Sequence, residues 1–136
     1  MVVNTVLINY WAVLAAAAAS FVLGGIWYSF LFKKSWIALQ GTEMGKGRSF
    51  PVLLIVNFVA GLITAFVLAH TVSYAGAETV YDALFVGFFT WLGYFAVTVS
   101  LGTVLWENKP IALYAINAGY WLVNILIMSL ILTLWV

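Results

Sequence analysis

Four stretches of the chain, residues 6–31, 51–73, 83–105 and 111–135, contain no Asp, Glu, Lys or Arg. Each is longer than the ~20 residues a helix needs to cross ~30 Å of hydrocarbon. Strict alternation of apolar and polar residues is absent, and runs such as 52–56 are apolar all round. A lipid environment accepts only helices or closed barrels, and without a period of two the barrel is excluded. The pattern therefore predicts an all-α membrane protein with four transmembrane helices, arranged as a single transmembrane domain over residues 1–136.

Composition agrees with this. Hydrophobic residues make up 66% of the chain and charged ones 7%, with a mean hydropathy of +1.15. A soluble domain carries ~25% charged residues. The same figures exclude a disordered chain. A net charge of +1 offers nothing to nucleic acid, and the lack of cysteine removes any disulfide scaffold.

The few charges set the expected orientation. Residues 32–50 hold Lys33, Lys34, Glu43, Lys46 and Arg48, residues 74–82 hold Glu78 and Asp82, and residues 106–110 hold Glu107 and Lys109. All five basic residues thus fall in the first and third connections. Positive loops stay in the cytoplasm, so the expectation is an up-down-up-down bundle, N-out and C-out, with loop 32–50 cytoplasmic. Trp27, Tyr28, Trp36, Trp106 and Tyr114 then fall near the inner headgroups. Tyr10, Trp11, Tyr74, Tyr81 and Trp135 fall near the outer ones. Ala15–Ala19 imitates a signal-cleavage site, but residues 1–10 carry no Lys or Arg. The first stretch is therefore read as a retained span.

Within the long first connection, residues 41–49, with Gly41, Gly45 and Gly47, read as a flexible cytoplasmic turn. Gly45-Lys46-Gly47-Arg48 lacks the Ser/Thr and the preceding strand of a phosphate-binding loop. Its basic residues suit anionic headgroups instead. Pro51 and Pro110 stand at helix starts. Asn57 and Asn117 come after them at similar distances, and Trp36 and Trp106 precede them, a faint echo of two parallel hairpins, 1–73 and 74–136.

In lipid, helices associate through small residues and polar contacts. Ala12, Ala16, Ser20 and Gly24 recur at a spacing of four along the first helix. Gly61, Ala65 and Ala69 do so on the second, Ala83 and Gly87, then Ala96 and Ser100, on the third, and Ala115 and Gly119 on the fourth. The polar residues at depth are Asn57, Thr64, His70, Thr90, Thr98, Asn117 and Asn124. An Asn facing lipid would strand its amide, so the three asparagines are expected to face protein, as interhelical contacts or as a polar lining that includes Thr98.

Chemistry is otherwise sparse. A lone His70 lacks partners for a metal, and a haem shared by two copies would need it in both. No carboxylate lies within a span, and no Ser/His/Asp set is placed for nucleophilic catalysis. No cofactor is therefore expected.

The run Asn9-Tyr-Trp-Ala-Val-Leu, then Phe21-Val-Leu-Gly-Gly-Ile-Trp27-Tyr28-Ser29 and Leu31-Phe32-Lys-Lys-Ser-Trp36, resembles the opening of the bacterial membrane family catalogued as domain of unknown function 1761. Trp106-Glu107-Asn-Lys109-Pro110, Asn117-Ala-Gly119-Tyr120 and Leu126-Ile-Met-Ser-Leu resemble its C-terminal half. Members often carry Pro after Trp-Tyr-Ser, where this chain has Phe30. The resemblance implies a small four-helix protein of the bacterial inner membrane and brings no activity with it. It draws attention to Trp27, Tyr28 and Ser29 beside Glu107, a cluster at the inner interface in which Glu107 is expected to pair with Lys33, Lys34 or Lys109.

Three functions stand as expectations. The first is an oligomeric or partner-binding structural module, whose partners are the bilayer and either a second copy or another membrane protein. The second is a passive facilitator for a small solute, lined by Asn57, Asn117, Asn124 and Thr98. The third is an intramembrane enzyme or cofactor carrier built on His70 or Glu107.

Overall fold

The computed structural model describes residues 6–41 and 49–135, with the side chains of Ser100 and Leu101 outside the description. Glu43, Gly45, Lys46, Gly47 and Arg48 of the first loop lie outside the described residues. The described residues form five helices: α1 (Tyr10–Leu31), α2 (Lys33–Gln40), α3 (Phe50–Tyr74), α4 (Val80–Trp106) and α5 (Ile111–Leu134). All but α2 are long and apolar enough to cross a membrane.

Local chemistry sets the helix limits. Asn9 Oδ1 accepts from the Trp11 and Ala12 N–H groups at 3.1 and 3.4 Å, so α1 begins at Tyr10 and not at residue 6. Pro51 occupies the first turn of α3 and Pro110 immediately precedes α5, where a missing N–H is harmless. A capping box opens α4. Thr79 Oγ1 accepts from the Asp82 N–H at 3.1 Å, and Asp82 returns an acceptor to the Thr79 N–H at 3.0 Å.

The flexible turn expected over residues 41–49 lies, but for Gly41 and Ser49, outside the described residues, and ahead of it residues 33–40 form α2. Trp36, Ile37, Leu39 and Gln40 are half-buried there, while Lys33, Lys34, Ser35 and Ala38 are exposed. One apolar edge against the bundle and one charged face outward stabilise a short interfacial helix. Gly41, at φ 85°, ends it in the left-handed region that glycine enters without strain.

Two of the spans change helical pitch. In α1 the turn Trp27–Leu31 widens, and the Phe32 N–H bonds the Trp27 carbonyl five residues back. In α4 the turns Leu92–Ala96 and Leu101–Trp106 widen in the same way. Each wide turn inserts one residue and rotates the rest of the helix about its axis. Ala83, Gly87 and Trp91 face α5 at a spacing of four, and the next contact is Ala96, five on. The broken small-residue spacing of α4 in the sequence is therefore a register shift in the helix.

The last span is the hub. Helix α5 packs against α1, α3 and α4; α1 packs against α3; and α3 barely meets α4. The core lies at the α1–α3–α5 junction, where Ala16, Ala17 and Ala65 are fully buried with Met128, Leu132, Leu68 and Val72. Alanines let these backbones approach closely, the device available when lipid supplies no hydrophobic force between helices. Contacts pair Tyr10 with Phe66 and Phe21 with Phe58 across α1–α3, and Asn9 Nδ2 with the Trp135 carbonyl across α1 and the end of α5.

Candidate functional site

Polar and aromatic side chains concentrate at the end of the bundle that carries the lysines. There α1 and α4 are tied to α5 by aromatic donors. Trp27 Nε1 donates to the Ile116 carbonyl at 3.1 Å, and Trp91 Nε1 donates to the Ala118 carbonyl at 2.9 Å. Tyr114 OH donates in the other direction, to the Ala96 carbonyl at 2.7 Å. Indole and phenol groups pair their polar tip while burying a large ring, which suits them to anchoring helices in lipid.

Tyr28 OH donates to Asn117 Oδ1 at 2.7 Å. The wide turn of α1 presents Tyr28, and the wide turn of α4 presents Phe95. With Trp36 of α2 and Trp121 of α5, they wall an open crevice of about 370 Å³ in which Val99 and Asn117 complete the lining. Tyr28 and Trp36 meet edge to face at 6.2 Å, and Phe95 tilts against Trp121 at 5.1 Å. No charged side chain lines this crevice.

A second cleft, of about 450 Å³, opens at the other end, between the start of α1 and the ends of α3 and α5. Asn9, Ala12, Ala69, Val72, Leu132 and Thr133 contribute to its walls. A third space, of about 40 Å³, lies between α1, α3 and α5, bordered by Ser20, Asn57, Gly61, Thr64 and Tyr120.

The residues singled out from the sequence do not gather in one place. Asn117 is half-buried in the aromatic crevice, while Asn57 is exposed on α3 at the edge of the small space. Asn124 is 1% exposed, and among the described residues neither its Nδ2 nor its Oδ1 has a hydrogen-bond partner. Asn124 faces protein as expected but bonds across no helix among the described residues, whereas Asn57 departs from the expectation in being exposed. Thr98 is exposed and donates to the Tyr94 carbonyl of its own helix at 2.7 Å, so it lines nothing shared with the asparagines. A short hydroxyl on a helix reaches its own preceding turn more easily than a neighbour.

On α1, Ala12, Ala16 and Ser20 are buried, and Gly24 is half-buried against Tyr120, whose hydroxyl would stand 3.2 Å from an added Cβ. On α5, Ala115 is exposed, and Gly119 lies against Trp27. The inner-interface cluster separates. Trp27 and Tyr28 turn to α5, whereas Ser29 and Glu107 are exposed. Among the described residues Glu107 forms no ion pair with Lys33, Lys34 or Lys109, and Lys109 Nζ donates to the Gln40 carbonyl at 3.3 Å instead. His70 Nδ1 lies 2.8 Å from the Phe66 carbonyl, with its ring between those of Phe66 and Tyr74.

A family model described as "Protein of unknown function (DUF1761)" matches residues 11–133. The chain belongs to this family. No curated protein and no solved structure matches it. The DUF1761 match takes in all six residues of the aromatic crevice, together with all three asparagines. In the sequence of this DUF1761 protein Trp36 reads only as a headgroup anchor, and Phe95 and Trp121 do not stand out. Trp36 follows the Lys33–Lys34 pair, a setting that headgroup anchoring explains equally well, and Phe95 and Trp121 carry no signal beyond their aromatic rings.

Proposed function

We propose that this chain is a multi-pass protein of a bacterial inner membrane that works as an oligomeric module, with a second copy seated over the exposed side of α3 at Asn57. The observation that carries this reading is the Asn57 side chain. It lies seven residues into α3, about 10 Å along the axis at the usual rise, exposed, and with no described residue bonding its amide. An amide offers both donors and an acceptor, so two copies related by a two-fold axis satisfy each other with the same residue. The facilitator reading has no comparable support, because Asn57, Asn117, Asn124 and Thr98 open on different surroundings.

The same proposal includes the threading. Successive contacts between α1 and α3, between α1 and α5, and between α4 and α5 run in opposite residue order, as in an up-down-up-down bundle. The placement of basic residues assigns the Lys33–Lys34 end to the cytoplasm and both termini to the outside. Impermeant thiol labelling of Glu78→Cys, but not of Ser49→Cys, in intact cells is the expected result. The opposite pattern overturns the orientation.

Oligomer size in lipid nanodiscs, read by native mass spectrometry, tests the assembly. Wild type is expected as a multimer, and Asn57→Leu should weaken association by about 3- to 30-fold, the range of one interhelical amide contact. A monomeric wild type, a multimer indifferent to Asn57→Leu, or co-purification with a different membrane protein in place of a second copy overturns it.

A further inference from the structure

We infer that the aromatic crevice at the lysine end is a binding site for a lipophilic planar carbonyl compound of the quinone class, taken up from the bilayer. Three observations converge. The first is the walls. Tyr28, Trp36, Phe95 and Trp121, from four different helices, border a space of about 370 Å³. Ligand pockets for small molecules run from ~300 to ~1,000 Å³ and are walled by apolar and aromatic groups around a few placed polar ones. Four aromatic rings in the lining favour a ligand that is itself a flat ring, which can stack or meet them edge to face.

The second is the polar group. Asn117 accepts from Tyr28 OH through its Oδ1, while its Nδ2 has no partner among the described residues and, unlike the amide of Asn124, is not sealed away. A free N–H₂ in an apolar crevice is costly until an acceptor reaches it. It lies six residues into α5 from Ile111, about 9 Å along the axis. A bilayer-soluble ligand with a carbonyl oxygen supplies the acceptor at that depth, and its tail leaves through the crevice's open side.

The third is charge. No carboxylate lines the site, and Lys33 and Lys34 stand on the helix that contributes Trp36. An aromatic cage for a cation needs the opposite setting, so a neutral ring is favoured over an organic ammonium. The wide helical turns add weight. Two of the three wide turns present crevice residues, and such turns recur at functional sites because they re-aim side chains at the expense of regular pairing.

The test uses the full chain in nanodiscs, with decylbenzoquinone as the probe. Retained probe is measured by equilibrium dialysis against empty nanodiscs. Saturable binding near one per chain is expected. The dimethyl ether of the corresponding hydroquinone keeps the ring and tail but loses both carbonyls, and it should bind about tenfold more weakly, the weight of one unsatisfied amide. Asn117→Leu should lose affinity to the same extent. Tyr28→Phe keeps the wall and the Asn117 donor and should stay near wild type, which a purely structural role of the Tyr28–Asn117 pair does not predict. If Asn117→Leu fails to fold, Phe95→Ala against the exposed control Phe85→Ala carries the comparison, with loss expected only in the first. Uptake no greater than in empty nanodiscs overturns the inference, as does equal binding of the ether, which indicates a space for acyl chains. Tighter binding of tetraphenylphosphonium than of the quinone also overturns it.

Discussion

Gly87→Ala tests the contact on which the α4–α5 interface depends. Gly87 is buried, and a Cβ built there would stand 2.9 Å from Ser129 Oγ, 3.2 Å from Leu126 Cδ2 and 3.3 Å from Ser129 Cβ. Carbon atoms sit comfortably at ~3.5–4.0 Å, so the methyl must push α4 and α5 apart or displace Ser129. Overpacking of this size costs ~1–3 kcal/mol, against a helix-propensity gain of ~0.5–1 kcal/mol for replacing glycine. The net expectation is a loss centred near ~1 kcal/mol and reaching at most ~2.5 kcal/mol. Gly25 supplies the control, because nothing stands within 4 Å of its added Cβ. Gly25→Ala should therefore show the propensity gain alone. Ser129→Ala supplies the rescue. Its Oγ is buried without a partner, so removing it sacrifices no hydrogen bond and clears the closest clash. The double variant should recover ~1 kcal/mol relative to additivity, within the range for touching residues. Equilibrium unfolding by SDS titration in bicelles measures the wild type and all four variants. If Gly87→Ala gains stability as Gly25→Ala does, or Ser129→Ala brings no recovery, α4 does not approach α5 at this point.

Other substitutions separate the remaining features. Asn124→Leu should raise stability by ~1–3 kcal/mol in the same titration, since it replaces a sealed, unpartnered amide with a side chain of similar volume; a loss would reveal a partner for that amide. Thr79→Ala should cost ~0.5–2 kcal/mol by removing the capping box of α4, while Thr79→Ser should preserve it, and hydrogen exchange at residues 80–83 would report the fraying. Trp91→Phe should cost about 1 kcal/mol by leaving the bond to the Ala118 carbonyl unmade, and an unchanged midpoint would argue that this bond does not hold α4 in place.

Much of this protein was legible from one dimension. Where charge is absent for longer than a bilayer's width, only a membrane helix satisfies the backbone, so the four spans follow from composition and length alone. Alanines repeating every four residues on α1 mark a face, because helical periodicity is local and lipid leaves close packing as the main source of association. Periodicity does not say which helix a face will meet. That α5 is the hub, that α4 touches little besides it, and that Asn57, Asn117 and Asn124 part company are outcomes of how four similar apolar rods cross. The wide turns of α1 and α4 escape a sequence reading for the same reason. Each costs local hydrogen-bond regularity, and the first wide turn of each helix is tied by a contact to α5, the Tyr28 side chain with Asn117 and the Ala96 carbonyl with Tyr114. Helix α2 was hidden because eight residues carry too weak an amphipathic signal alone, and it forms where the bundle offers Trp36 and Ile37 a surface. The sequence determined which stretches are long and apolar enough to cross a membrane; only tertiary packing decided which polar groups within them were paired, which were sealed and which were left open.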